Sequence, residues 1–218
     1  MKKILCNLYL VLGMSSMALA QTQSGDIFIG ANLGWNNNEY TSNYTNNAGI
    51  VGLRTNESSN FSIQPMIGTF LSDNIALGIF VNYDNNRNKS TLPVDNYNEN
   101  SKNHFLTVGP FIRKFFPLNE KFAFYGQGNI GYRRSSYNTD QESSGMTYNY
   151  HNKYNGIMAA IKPGIVFFAT KNMGIDVSVR GLQYSFSKLK NSSQSTSSLE
   201  AGFDLPNLNI GLNLYLGR

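Results

Sequence analysis

The stretch Phe61-Ser-Ile-Gln-Pro-Met-Ile-Gly-Thr-Phe70, then Leu71-Ser-Asp-Asn74, then Ile75-Ala-Leu-Gly-Ile-Phe-Val-Asn-Tyr83, decides the fold. In the first arm Phe61, Ile63, Pro65 and Ile67 alternate with Ser62, Gln64, Met66 and Gly68. In the second, Ile75, Leu77, Ile79, Val81 and Tyr83 alternate with Ala76, Gly78, Phe80 and Asn82. A period of two places successive side chains on opposite faces of a strand. Ser72-Asp73-Asn74 between the arms is turn chemistry. The unit is a hairpin with one apolar face, and each arm has about the 9 to 11 residues with which a tilted strand crosses a bilayer.

The same pattern continues in both directions. Ile27, Ile29, Ala31, Leu33 and Trp35 alternate with Asp26, Phe28, Gly30, Asn32 and Gly34. Leu106, Val108, Pro110 and Ile112 oppose Thr107, Gly109, Phe111 and Arg113. Phe122, Phe124, Gly126, Gly128, Ile130 and Tyr132 oppose Tyr125, Gln127, Asn129, Gly131 and Arg133. Ile157, Ala159, Ile161, Pro163, Ile165 and Phe167 oppose Gly156, Met158, Ala160, Lys162, Gly164 and Val166. Ile175, Val177 and Val179 oppose Asp176, Ser178 and Arg180, with the phase open beyond Gly181. Leu208, Ile210, Leu212, Leu214 and Leu216 oppose Asn207, Asn209, Gly211, Asn213 and Tyr215.

The connections between these eight segments alternate in length. Asn36 to Asn60, Asp84 to Asn103, Arg134 to Tyr154 and Ser187 to Pro206 are long; Leu71 to Asn74, Phe116 to Lys121 and Ala169 to Met173 are short. An even number of antiparallel strands with short turns at one end and long connections at the other predicts an all-β, eight-stranded antiparallel up-and-down transmembrane β-barrel. Both termini then fall at the short-turn end. The long connections, dense in Asn, Ser, Thr and Tyr, read as mobile loops. Tyr40, Tyr44, Tyr97, Tyr137, Tyr148 and Tyr150 within them are candidate amphipathic anchors.

Lys2 and Lys3, the apolar run Ile4 to Leu12 and Ala18-Leu19-Ala20 have the order of a secretory signal peptide. Residues 1–20 are thus expected to be removed by cleavage near Ala20, leaving one domain over 21–218. Cleavage takes with it the sole cysteine, Cys6, so disulfides and thiol chemistry are excluded from the mature chain. It also lowers the net charge from +5 to +3 by removing two lysines. A small, unclustered basic excess on an exported chain does not predict a nucleic-acid partner. Charged residues are only 14% of the chain, against about 25% in an ordinary soluble domain. Alternation alone leaves a soluble ligand-carrying barrel open. Lipid contact is favoured by this low charge, by polar residues on the opposite face, and by Trp35, Tyr83, Phe116, Phe122 and Tyr132 near strand ends, where interfacial girdles form.

The alternation aims a set of charges at the lumen: Asp26, Arg113 and Asp176 towards the short-turn end, Lys162 and Arg180 near the middle, Arg133 near the outer rim. Charges withdrawn from bulk water need partners, so these six predict a polar network plugging the interior. Eight strands enclose a space that side chains fill. The other reading is a narrow anion-permeable path lined by Arg113, Lys162 and Arg180.

Other motifs carry less. Gly126-Gln-Gly128-Asn-Ile-Gly131 matches a dinucleotide fingerprint but continues into a strand, Tyr132-Arg133-Arg134, where a helix is required. Asp84, Asn86, Asn88, Ser90 and Asp95 have calcium-loop spacing, but Lys89 occupies the glycine position. His104 and His151, with Ser101 and Glu99 near the former, raise a surface lipid hydrolase, yet no His and Ser share a strand face. No cofactor, metal or catalytic site is assigned, and the chain reads as non-enzymatic.

Phe61 to Gly68, Leu71 to Gly78, Gly109-Pro-Phe-Ile-Arg113 and Gly211-Leu-Asn-Leu-Tyr215 resemble the small OmpA/OmpX-like outer-membrane β-barrels of Gram-negative bacteria, over about Asp26 to Arg218. The resemblance implies residence in the outer membrane, contact with its lipids and lipopolysaccharide, handling by the barrel-assembly machinery, and a structural or surface-interaction role. Many members end in an aromatic residue; this sequence ends Tyr215-Leu-Gly-Arg218.

Overall fold

The structure, a computed structural model, describes residues 22–45, 49–143, 145–203 and 208–217. The expected signal peptide and Cys6 lie outside the described residues. The strands are β1 (Ile27–Thr45), β2 (Val51–Ser72), β3 (Ile75–Leu92), β4 (Tyr97–Pro117), β5 (Phe122–Ser143), β6 (Met146–Thr170), β7 (Met173–Val179), β8 (Gly181–Leu189), β9 (Ser195–Gly202) and β10 (Leu208–Leu216). From β1 to β6 each pairs antiparallel with the next. β6 then pairs with β7 near the short turns and with β8 further out, while β9 lies on β8. β10 joins β7 to β1, from Ile27 opposite Leu216 to Gly34 opposite Asn209. Counting β7 with β8 and β9 with β10 as one stave each, the ring has eight staves and is an up-and-down transmembrane β-barrel.

The predicted alternation fixes which way each side chain points. Ile29, Leu33, Ile67, Ile79, Ile112, Ile130, Ile161 and Leu212 are exposed on the outside, as are Trp35, Phe116, Phe122 and Tyr132. An apolar belt this continuous is unfavourable in water and favourable against acyl chains. Phe28, Gln64, Phe80, Phe111, Arg113, Gln127, Met158 and Asp176 point inward and are buried. Gly68 and Gly78 face each other across β2 and β3, where an added Cβ on Gly68 would lie 2.9 Å from the Gly78 Cα. Such close backbone approach is available to glycine alone.

The seventh stave breaks at Arg180. Gly181 has φ +67°, and a Cβ there would lie 2.0 Å from the Ile161 carbonyl oxygen. Pro163 on β6, beside the break, has no N–H to give to a ladder. The extra residue slips the phase: Ile175 and Val177 face outward before it, Leu182, Tyr184 and Phe186 after it. Arg180, the last residue before the slip, keeps the inward parity of Asp176 and Ser178 and lines the lumen together with Lys162, its side chain about half exposed.

The segments expected as long loops are mostly paired strand. The hairpins run out to Thr45 opposite Val51, Leu92 opposite Tyr97, Ser143 opposite Met146 and Lys188 opposite Ser195. Their polar side chains match across the strands: Ser58 donates to Asn88 at 2.9 Å, and Ser101 and Thr139 share a bond at 2.9 Å. The Tyr137 ring sits 5.5 Å from that of Phe105 and 5.2 Å from that of Tyr154. Such cross-strand pairs stabilise a ladder without any apolar face.

Placing a charge in the middle of the belt tests its environment. Ile79→Arg is expected to destabilise the barrel in lipid vesicles by about 2–4 kcal/mol, read by denaturant titration. A change near zero would mean that the belt does not face lipid.

Candidate functional site: the barrel interior

The interior has three levels. At the short-turn end is a floor of rings: Phe28, Phe70, Phe111, Phe115, Phe168 and Tyr215, all essentially without solvent contact. Phe28 lies 5.8 Å from Phe111 and 5.7 Å from Tyr215, and Phe70 lies 5.7 Å from Phe115, with the rings inclined to one another. Beneath them the turns are stitched together. The Gly25 amide donates to the Phe70 carbonyl at 2.8 Å, the Asn74 amide to Thr22 at 2.9 Å, and the Tyr215 amide to Asn172 at 2.9 Å. Asp26 belongs to this closure, accepting from the Gln23 amide at 3.3 Å.

Above the floor is a buried polar belt centred on Arg113. Its Nη1 donates to Asp176 Oδ2 at 3.0 Å, and both side chains are fully shielded from solvent. Its Nε donates to Gln127 at 2.7 Å, and Gln127 in turn donates to Asn129 at 2.8 Å. Asn213 donates to the same Asp176 oxygen at 2.9 Å. The guanidinium carbon lies 4.2 Å from the Tyr125 ring centre and 4.9 Å from that of Phe28. Charge, hydrogen bonds and ring faces thus all compensate the desolvated cation.

The third level is a polar cup of about 310 Å³, whose lining includes Gln64, Asp84, Arg133, Lys162, Arg180 and Glu200. Lys162 donates to Gln64 at 2.8 Å, Arg133 to Thr107 at 3.1 Å, and Asn82 to Asp84 at 2.6 Å. Arg180 pairs with Glu200 at 3.2 Å, both about half exposed.

Of the six predicted lumen charges, the fold joins Arg113 to Asp176, places Lys162, Arg133 and Arg180 around the cup, and sets Asp26 apart in the floor. Asp84, read in the sequence only for its calcium-loop spacing, and Glu200 and Gln64 also line the cup. Asp84 continues the inward parity of Ala76, Phe80 and Asn82, which would have found it; Glu200 follows no such run. A mainly polar plug was expected; polar groups do fill the middle and outer levels, while the short-turn end is filled by rings.

The other motifs fall apart in space. The eight steps from Asp84 to Leu92 along β3 cover roughly 27 Å, so the calcium-spaced residues do not surround a point. Gly126 and Gly128 share the outward parity of β5, whereas Gly131 faces in. His104 shares the outward parity of Leu106 and bonds the Tyr83 hydroxyl at 3.0 Å, while Ser101 and Glu99 lie on the opposite parity. His151 bonds Asn138.

No described family and no curated relative matches the chain. Solved outer-membrane β-barrels are among the structures it matches. The outer membrane protein OprG of Pseudomonas aeruginosa is 11% identical, with 92% of this chain and 100% of that one covered and a TM-score of 0.47. The attachment invasion locus protein Ail of Yersinia pestis is 15% identical over 88% and 96%, at 0.33. The outer membrane protease OmpT of Escherichia coli is 11% identical over 90% and 97%, at 0.46. These likenesses assign no role.

Two outcomes follow from the geometry. Asp176→Leu strands the Arg113 cation and is expected to cost about 3–5 kcal/mol, whereas the double variant Arg113→Met/Asp176→Leu recovers most of that loss; chemical unfolding of all three measures both. On the arm, the Glu99 carboxylate accepting the Tyr97 hydroxyl, together with partial burial, raises the phenol above its ordinary range. Glu99→Gln should therefore lower the pH at which Tyr97 ionises, read by NMR of labelled tyrosine.

Proposed function

We propose that this chain is an integral outer-membrane barrel without enzymatic activity, whose work is done at its outward end by the polar cup and the paired arms. One observation carries the reading: the interior is shut at the short-turn end and open at the arm end. A water path through the barrel would wet Phe28, Arg113, Phe115 and Asp176, all of which have at most 1% exposure. The arms, by contrast, hold polar and aromatic groups in a fixed ladder beyond the apolar belt. In this reading the short turns face the periplasm, export precedes cleavage near Ala20, and the barrel-assembly machinery inserts the chain among outer-membrane lipids and lipopolysaccharide.

A surface partner meets Tyr40, Tyr148 and Tyr150, which are exposed on the arms, with the entropy of those segments already reduced by pairing. The test is adhesion of cells displaying the full chain to immobilised matrix or host molecules. Tyr40→Ser, Tyr148→Ser and Tyr150→Ser together are expected to weaken adhesion at least tenfold with the barrel still folded; undiminished adhesion would remove the arms from the role. The second reading, a narrow anion path, draws support from Lys162, Arg133 and Arg180 around the cup. Planar-bilayer recording separates the two. The closed floor predicts no steady conductance, and anion-selective steps would replace the surface reading with the pore.

A further inference from the structure

The outside of the barrel differs around its circumference. Across β5, β6 and β8 the register builds rows one above another: Gly128, Ile161, Leu182; then Ile130, Ala159, Tyr184; then Tyr132, Ile157, Phe186; then Arg134, Asn155, Lys188. In the next row Ser136 faces Lys153, whose carbonyl accepts the Lys190 amide at 2.8 Å. Gly128 and Ala159 are small between larger neighbours. They leave an apolar groove of about 620 Å³ walled by Pro110, Ile112, Ile161, Leu182 and Tyr184. Above it, at the basic rows, lies a polar depression of about 530 Å³ formed by Asn155, Lys188, Lys190, Ser192 and Ser193, among others.

Arg134, Lys153, Lys188 and Lys190 are exposed. Among the described residues the ion pairs are Lys89 with Glu57, Arg113 with Asp176 and Arg180 with Glu200, so none of these four cations has a carboxylate partner. The face formed by β1, β2 and β3 is the reverse: its outward row sets Glu39 beside Glu57 and Glu57 beside Lys89. Unneutralised positive charge is therefore gathered directly over the groove.

We propose that this face binds a phosphate-bearing lipid of the leaflet at the arm end, with an acyl chain in the groove and the phosphate among Arg134, Lys188 and Lys190. Arg134 and Lys188 sit two strands apart in one row, about 10 Å between backbones, so both long side chains reach a phosphate lying between them. Arginine supplies a forked pair of donors and the lysines supply point charge. Each basic group near an anionic headgroup contributes about fivefold in affinity. The proposal rests on the apolar belt facing lipid and is independent of the adhesive reading.

The test is native mass spectrometry of the full chain in detergent, comparing purified lipid A, a diphosphorylated glycolipid, with zwitterionic phosphatidylcholine. Retained lipid A adducts are expected for the unaltered chain. A loss of at least about tenfold is expected in Arg134→Gln/Lys188→Gln/Lys190→Gln. Ala159→Trp, which fills the groove and leaves the cations in place, is expected to weaken retention as well. Heat-modifiable gel mobility checks that each barrel is folded, and the surface glutamine variant keeps the test decisive if the tryptophan variant does not fold. Equal retention of phosphatidylcholine, or undiminished lipid A in the glutamine variant, would overturn the site. Displacement by inorganic phosphate alone would show a free-anion site and overturn the lipid.

Discussion

Backbone pairing is the constraint from which the rest follows. Inside a hydrocarbon layer an unpaired N–H or C=O has no water to turn to, so a sheet that spans it has to close on itself. Here the closure is the ladder between β1 and β10. Once eight staves form a ring, each side chain has two destinations, lipid or lumen, and the period of two assigns them. The same count sets the width of the interior, which is narrow enough for side chains to fill.

How it is filled distinguishes the two ends. Rings occupy the short-turn end, where β-strand, turn and N-terminal segment are tied together by backbone hydrogen bonds. Polar groups occupy the arm end, where water reaches them. Arg113 marks the boundary: its guanidinium lies over ring faces on one side and bonds Gln127 and Asp176 on the other. A cation that satisfied on all sides is a filler of fixed shape, and its partner Asp176 is fixed in turn through Asn213.

Much of this was legible in the sequence because facing lipid and facing the lumen demand different residues. Ile79 and Phe80, adjacent in the chain, declare opposite destinations. The arms were not legible in the same way. Beyond the belt both faces of a strand meet water, so Asn, Ser and Thr fall on either side and a paired ladder reads like a loop. The phase beyond Gly181 was open because one residue of bulge there reverses the parity of everything after it, from Ile175 and Val177 outward to Leu182 and Tyr184 outward. The ring floor is harder to read, although Phe28, Phe111 and Tyr215 stand on the inward face, because Asn, Gln and Gly surround them there.

The β1 to β10 seam also orders events in time. Hairpins such as β2 with β3 join residues close along the chain and can form as soon as both strands exist. The seam instead joins Ile27 to Leu216, nearly the full length of the described chain, so its loop-closure entropy is the largest in the fold. Until the final strand arrives, the β1 edge is an open row of donors and acceptors able to pair with a strand from another molecule. The last nine-residue strand thus acts as the step that turns an aggregation-prone sheet into a sealed particle, and shortening that strand would prolong the vulnerable interval more than any change in the arms.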